Sequence, residues 1–175
     1  MLVGIIGIKC FHACINTGGE QSNLVGNTTG QRTDKITQTK IRFAFLDRLA
    51  EATAEKMHET IRKEIWGYAP DEALSIHQLH NEEFQGIRPA VGYPSLPDQS
   101  VNFLLDKLLD MQQIGIQLTE NGMMQPHASV SGLMFAHPAS RYFSVGKIDE
   151  QQLKDYATRR GLPLDVMRKY LGANI

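Results

Sequence analysis

Gly86-Ile87-Arg88-Pro89-Ala90-Val91-Gly92-Tyr93-Pro94 places two prolines, two glycines, an arginine and a tyrosine in one short segment that directly follows a helix-like stretch. Each proline fixes its own φ and biases the residue before it toward extended geometry, so no helix runs through. Gly92 carries no Cβ, which allows close approach to its backbone. Arg88 offers a planar cation suited to a carboxylate, and Tyr93 an aromatic face with a polar tip. Two readings of these residues stand side by side. One is a stiff, extended clamp for a small molecule; the other is a proline-rich connector with one exposed arginine.

Outward from this segment the chain alternates helix signals with hairpin signals. On the N-terminal side, from about Ile36 to Gly67, Phe45, Leu49, Thr53, Met57, Ile61 and Ile65 recur every four residues, with Phe43, Leu46 and Ala50 widening the stripe. That spacing predicts one long helix whose stripe is buried, with charged residues on the other faces and Gly67 as its stop. Ser75 and Gln78 form a capping-box pattern for a second helix reaching toward Gln85 and Gly86. On the C-terminal side, Asp98 is placed to cap a third helix with Val101, Leu104, Leu105, Leu108 and Met111 inward, ended by Gly115. Ile116 to Leu118, Ser129 to Phe135 and Arg141 to Val145 read as strands, and Asn121-Gly122 as a hairpin turn. Asp149 with Gln152 opens another helix that Gly161 closes, and Pro163 to Leu171 makes a last one. Helices outnumber strands, and hairpin signals join the strands in place of regular βαβ units. The expected class is α+β, with helices packed on a small, mainly antiparallel sheet.

Four collinear segments carry a family resemblance. Gly86 to Pro94 resembles the RPAxGYP signature of the activation domain of cobalamin-dependent methionine synthase, the region that binds S-adenosylmethionine. Asp47 to Glu55, DRLAEATAE, is similar to the family's DRLAEAxAE; Trp66 to Asp71, WGYAPD, to its WGYAPNE; and Ala128 to Pro138, ASVSGLMFAHP, to its ASVSGxxFxHP. The resemblance runs from about Asp47 to the C-terminus and corresponds to the C-terminal half of a longer domain. Phe143 stands where the family more often has a second tyrosine, and Val91 where it often has proline. Ser95 to Gln99 departs from the usual cysteine- and histidine-containing continuation.

The resemblance implies a site and a chemistry. S-adenosylmethionine needs a cation for its carboxylate, an acceptor for its amine, an electron-rich neighbour for its sulfonium and a flat slot for adenine. The implied cofactor-binding residues are Arg88, Ala90, Gly92, Tyr93, Tyr142 and Phe143, with Glu51 and Glu82 as the acids. Tyr93 is the residue expected to face the transferring methyl. The cobalamin is implied to be carried by a partner, a methionine synthase or other corrinoid protein, and its cob(II)alamin form to be remethylated with an electron from a flavodoxin-like donor. The cobalt is the nucleophile, so the protein contributes position and electrostatics, and methyltransferase activity requires the partner. The other reading of the chain is a non-catalytic module that docks on a corrinoid protein without using S-adenosylmethionine. Beside Pro138 in a turn, His137 reads as structural or as part of the cobalamin-facing surface.

Bulk properties fit that picture. The 175 residues can bury a core, and a net charge of −1 carries no basic footprint for nucleic acid. No apolar run is long enough for a membrane span, and the expected location is the cytoplasm. Leu2 to Ile8 reads as a strand, and Thr17 to Lys35, rich in Gly, Asn, Thr and Gln, as a linker. Residues 1–35 are thus expected to be an N-terminal strand and linker, and 36–175 the activation-domain-like region. Cys10, His12 and Cys14 fall short of the four ligands of a structural zinc site, so no metal is expected there.

Overall fold

The computed structural model describes the backbone of residues 3–9 and 28–175, and side chains from residue 44 onward. In chain order the elements are β1 (Val3–Lys9), α1 (Thr28–Thr60), α2 (Ile76–His80), α3 (Val101–Leu109), β2 (Gln117–Leu118), β3 (Met124–Gln125), β4 (Ser129–Phe135), α4 (Glu150–Arg160) and α5 (Leu164–Tyr170). Two small antiparallel sheets, β1–β4 and β2–β3, sit among the helices, which is the α+β arrangement expected. β1 pairs with β4 from Val3↔Phe135 to Lys9↔Ser129. None of the described helices is long and apolar enough to cross a membrane.

The signature segment is a third strand in all but name. Ile87 and Phe135 exchange N–H···O bonds of 2.9 Å in both directions, Pro89 O accepts from Leu133 N at 3.0 Å, and Val91 N donates to Ser131 O at 2.9 Å. The segment therefore lies antiparallel on the edge of β4 that β1 leaves free. Pro89 takes a ladder position where only a carbonyl is used, which an edge tolerates. The two backbones approach so closely at Gly132 that a Cβ there would stand 2.6 Å from Pro89 O. This explains the glycine of the ASVSG motif.

The long helix forms, but only part of the expected stripe faces in: Ala50 is buried, and Leu46 and Ile61 are partly buried and pack on the core. Phe45, Leu49, Met57 and Ile65 are exposed, and Thr53 is on the same outer face. The buried face is Ala50, Ala54, His58 and Arg62. Ala54 packs on Met134 of β4, and Ala50 on Ala128. Small side chains let the helix backbone lie close to the strand, whereas Phe45 and Leu49 in those positions would hold it away. Leu49→Ala is consequently expected to change the unfolding free energy by no more than about 0.5 kcal/mol, as for other exposed positions; a drop of the urea midpoint equivalent to about 2 kcal/mol or more would place Leu49 in the core. α1 also begins at Thr28, inside the stretch whose composition suggests a linker, and residues 17–27 lie outside the described residues.

Other expectations divide. Both capping boxes form, Ser75 with Gln78 and Asp149 with Gln152, and Gly161 ends α4 at φ 64°. The hairpin turn at Asn121-Gly122 joins β2 to β3. The second helix stops at His80, short of Gln85, and Glu82 takes a left-handed φ of 55°. In α3 the inward residues are Asn102, Leu105 and, partly buried against the same core, Val101, with Met111 just beyond; Leu104 and Leu108 face out. Asp98 does not cap that helix directly. Its carboxylate accepts from Ser100 N at 2.8 Å and from Tyr156 Oη at 2.8 Å, tying α4 to the loop that follows the signature. Arg141 to Val145 is not a strand. Its backbone meets the loop only through Val145 N to Pro94 O, 3.0 Å, and Ser95 Oγ to Phe143 O, 2.5 Å. The segment is anchored by Tyr142 instead of a ladder.

Candidate ligand site

Period-two alternation along the signature strand puts Arg88 and Ala90 on one face. That face, α1 and the 142–144 segment border an open cavity of about 860 Å³. Gly92, at φ 86°, breaks the alternation in a tight turn closed by Gly92 N to Leu96 O, 2.8 Å, and Leu96 N to Tyr93 O, 2.8 Å. The turn brings Tyr93, half-exposed, to the same cavity.

Of the residues expected at the site, Arg88, Ala90, Tyr93, Tyr142, Phe143, Glu51 and Glu82 all line this cavity. Gly92 does not. Its missing Cβ faces Gln99, whose Oε1 would be 2.5 Å from a side chain placed there. Its glycine is explained by the turn, and the approach it permits is that of a neighbouring side chain. His137 is also elsewhere; its Nδ1 accepts from Ala139 N at 3.1 Å and its carbonyl from Ser140 N at 2.9 Å, which is a turn role.

Tyr142 locks the strand to the cavity wall. Its hydroxyl accepts from the backbone N–H of Arg88 at 2.8 Å, a donor that points away from β4 and would otherwise lack a ladder partner. Burial raises its pKa above the ordinary phenol value, so the hydroxyl keeps its proton, which is left to donate. Phe143 presents a largely exposed ring at the rim. Glu51 pairs with Arg48 at 2.8 Å across one helical turn; both are solvent-exposed, so this pair holds Glu51 only weakly. Among the described residues Glu82 has no ion-pair or hydrogen-bond partner for its carboxylate, and it sits on a strained left-handed backbone.

Two residues not singled out in the sequence hold Arg88: Glu55, on the cavity wall, and His58, buried behind it. Glu55 receives both terminal nitrogens of Arg88: Nη1 donates to Oε1 at 3.2 Å, and Nη2 donates to Oε2. His58, fully buried one turn further along α1, stands with Nδ1 3.3 Å from Arg88 Nη1. A guanidinium can only donate, so Nδ1 is the acceptor and the imidazole proton is on Nε2. Burial, with the charges of Arg62 and Arg88 adding to it, pushes the His58 pKa down to about 3, and the ring is neutral at physiological pH. The signal for Glu55 was present in the sequence: it ends the DRLAEATAE segment and lies one turn from Glu51 on the same helical face.

Among the described residues no group of three or more His, Cys, Asp or Glu side chains could hold a metal ion; the Cys10, His12 and Cys14 cluster lies outside them. The cavity instead offers two arginines, Arg88 and the exposed Arg48, three carboxylates and an aromatic rim, a set suited to a zwitterionic organic ligand.

Comparison with known proteins agrees with this geometry. Residues 13–161 match the family model described as vitamin B12 dependent methionine synthase, activation domain. Among solved structures, the crystal structure of the MetH reactivation domain bound to AdoHcy superposes with a TM-score of 0.70 at 46% sequence identity, over 74% of this chain and 40% of that one. The present chain therefore spans less than half the length of that structure.

Proposed function

This chain belongs to the activation-domain family of vitamin B12-dependent methionine synthases, and from that premise we propose that it binds S-adenosylmethionine in the cavity between α1 and the signature strand and presents the sulfonium methyl to a cobalamin carried by another chain. The observation that supports this most directly is the convergence of Arg88 and Ala90 from the strand and Tyr93 from the turn after it with Glu51 of α1, Glu82 and Tyr142. Arg88 takes the ligand carboxylate and Glu51 or Glu82 the amine. Adenine rests against Ala90 and the aromatic rim of Tyr93 and Phe143, where small and flat groups leave a slot. Tyr142 donates its remaining proton to a ligand acceptor. The cobalamin supplies the nucleophile, and reduction comes from a flavodoxin-like donor. The chain's own part is to hold the methyl in line and to surround it with fixed charges. Its partner on this reading is a methionine synthase or related corrinoid protein, and its place is the cytoplasm.

The test is calorimetry of the whole chain with S-adenosylmethionine. Arg88→Ala is expected to weaken binding by about 2–4 kcal/mol, the loss of a charge-assisted pair in a partly buried site. Equal affinity in wild type and variant would remove Arg88 from the site, and a wild-type chain that binds no S-adenosylmethionine would leave the docking-module reading. Tyr93→Phe is expected to preserve binding and to slow the methylation of cob(II)alamin on the partner, followed by the corrin spectrum in a single turnover with a chemical reductant. A variant as fast as wild type takes the tyrosine hydroxyl out of the mechanism.

A further inference from the structure

We propose that Glu55 and His58 are positioning residues for Arg88, holding its guanidinium by the far end so that the Nε edge is left for the carboxylate of a bound amino-acid moiety. The proposal rests on the S-adenosylmethionine reading above and assigns to that site two residues which contact the arginine and not the ligand's reacting centre.

The donor count carries it. A guanidinium has five N–H groups. Glu55 takes one from each terminal nitrogen, Nη1 to Oε1 at 3.2 Å and Nη2 to Oε2. The His58 Nδ1, 3.3 Å from Nη1, takes the second proton of that nitrogen. Among the described residues nothing else accepts from the Arg88 side chain. What is left is Nε–H and one Nη2–H, which lie side by side along one edge of the planar group. Two parallel donors are the fork that a carboxylate accepts bidentately. Phe84 adds a floor: its ring lies 5.3 Å from the Arg88 Cζ, and its edge-on partner is His58, at 5.1 Å and 85°. The imidazole is therefore clamped between Phe84 and the guanidinium, and the guanidinium between Glu55 and His58.

Two effects oppose each other when Glu55 is changed. Losing its charge relieves repulsion of a ligand carboxylate. Losing its grip frees a long side chain that then has Glu51 and Glu82, on the same cavity wall, as alternative partners. The second effect dominates. Glu55 and Arg88 keep 29% and 22% of their side-chain surface open to water, which screens the repulsion. An Arg88 that swings onto Glu51 or Glu82 withdraws both the cation and the acid that the amino-acid end requires.

The experiment compares S-adenosylmethionine with 5′-methylthioadenosine, which keeps the adenosine and sulfur and lacks the amino-acid arm. Glu55→Gln and Glu55→Asp, the latter keeping the charge but shortening the reach, are each expected to weaken S-adenosylmethionine about five- to ten-fold, the scale of one long side chain losing its preorganisation. Methylthioadenosine affinity is expected to stay within about two-fold, since its binding uses neither Arg88 nor the ligand carboxylate. Unchanged or tighter S-adenosylmethionine binding, or equal loss for both ligands, overturns the proposal. A second readout needs no ligand. In the wild-type chain the Arg88 Nη protons should give separate NMR signals from hindered rotation, and these should merge in Glu55→Gln. Averaged Arg88 signals in the wild type overturn the clamp by themselves. A wild-type chain with separate signals that binds neither nucleoside refutes the ligand reading and leaves the clamp standing.

Discussion

Arg62→Met is expected to destabilise the fold by about 3–5 kcal/mol, read as a fall in the urea midpoint at unchanged slope, because it leaves a buried carboxylate without its partner. The Arg62 side chain is fully buried and that of Glu72 nearly so, at 8% exposure. They meet in a two-point fork, Nε to Oε2 at 2.7 Å and Nη2 to Oε1 at 2.6 Å. Arg62 sits where α1 gives way to a single wide turn, Ile61–Ile65, and its carbonyl accepts from Ala69 N at 2.9 Å. Its guanidinium also lies 4.5 Å over the Phe84 ring. Arg62 thus joins the end of α1, through its side chain to Glu72 and its carbonyl to the WGYAPD loop, with the Phe84 ring beside Arg88. The attraction between the two charges roughly offsets the cost of removing them from water, so the pair's net worth is small while the cost of breaking it is large. The double replacement Arg62→Met with Glu72→Leu should accordingly recover most of the lost stability. An unchanged midpoint in Arg62→Met, or a double variant no better than the single one, would show that solvent reaches Glu72 and that the pair is not sealed.

Arg62 also shows why the interior of this domain was only partly legible. Local rules worked where the cause was local. Ser75 with Gln78, Asp149 with Gln152, Gly161 and the Asn121-Gly122 turn each satisfy backbone groups within a few residues, and each formed. The α1 face followed only in part, because its burial is decided by β4 and the residue before it, about 80 residues downstream, against which Ala50 and Ala54 lie buried while Phe45, Leu49 and Met57 face out. Ranking residues by hydrophobicity favours Phe45 and Leu49 over Ala, His and Arg. His58 and Arg62 are nevertheless the buried pair, since Arg88, Glu72 and Phe84 bond or cover them, and a single helix pattern carries no record of those partners. The ligand wall was more legible. Seven of the eight expected residues line one cavity, and the eighth, Gly92, serves the turn that swings Tyr93 into it. The signature's strand pairing was hidden by its prolines, which read as loop but occupy edge positions where no N–H is needed.

Stability is expected to fall as pH drops through about 6.5, the slope rising toward about 1.4 kcal/mol for each pH unit about one unit lower, through His58 alone. The sign follows from which state binds the proton. In the unfolded chain an ordinary histidine takes up a proton near pH 6.5. In the folded chain the His58 pKa is held down to about 3, by burial first and then by Arg62 and Arg88. Above pH 6.5 both states are neutral at this position, and His58 adds no pH dependence. Between 6.5 and 3 the unfolded state binds a proton that the folded state refuses, so acid favours unfolding. The charged groups facing the imidazole account for the refusal. Arg88 is bonded to it through Nη1, Arg62 contributes the larger repulsion, and the carboxylates beside these arginines, Glu55 and Glu72, are committed to Arg88 and Arg62. Phe84 covers another side and offers no acceptor. The measurement is the urea-unfolding free energy at pH 7.0, 6.0 and 5.5, a window above the ordinary range of carboxylates, for wild type and for His58→Leu. The wild type should lose stability across the window and the variant should lose less, the difference growing as pH falls. Parallel profiles would mean that His58 is protonated in the folded state, with water or a carboxylate at Nε2, and would remove the neutral acceptor from behind Arg88.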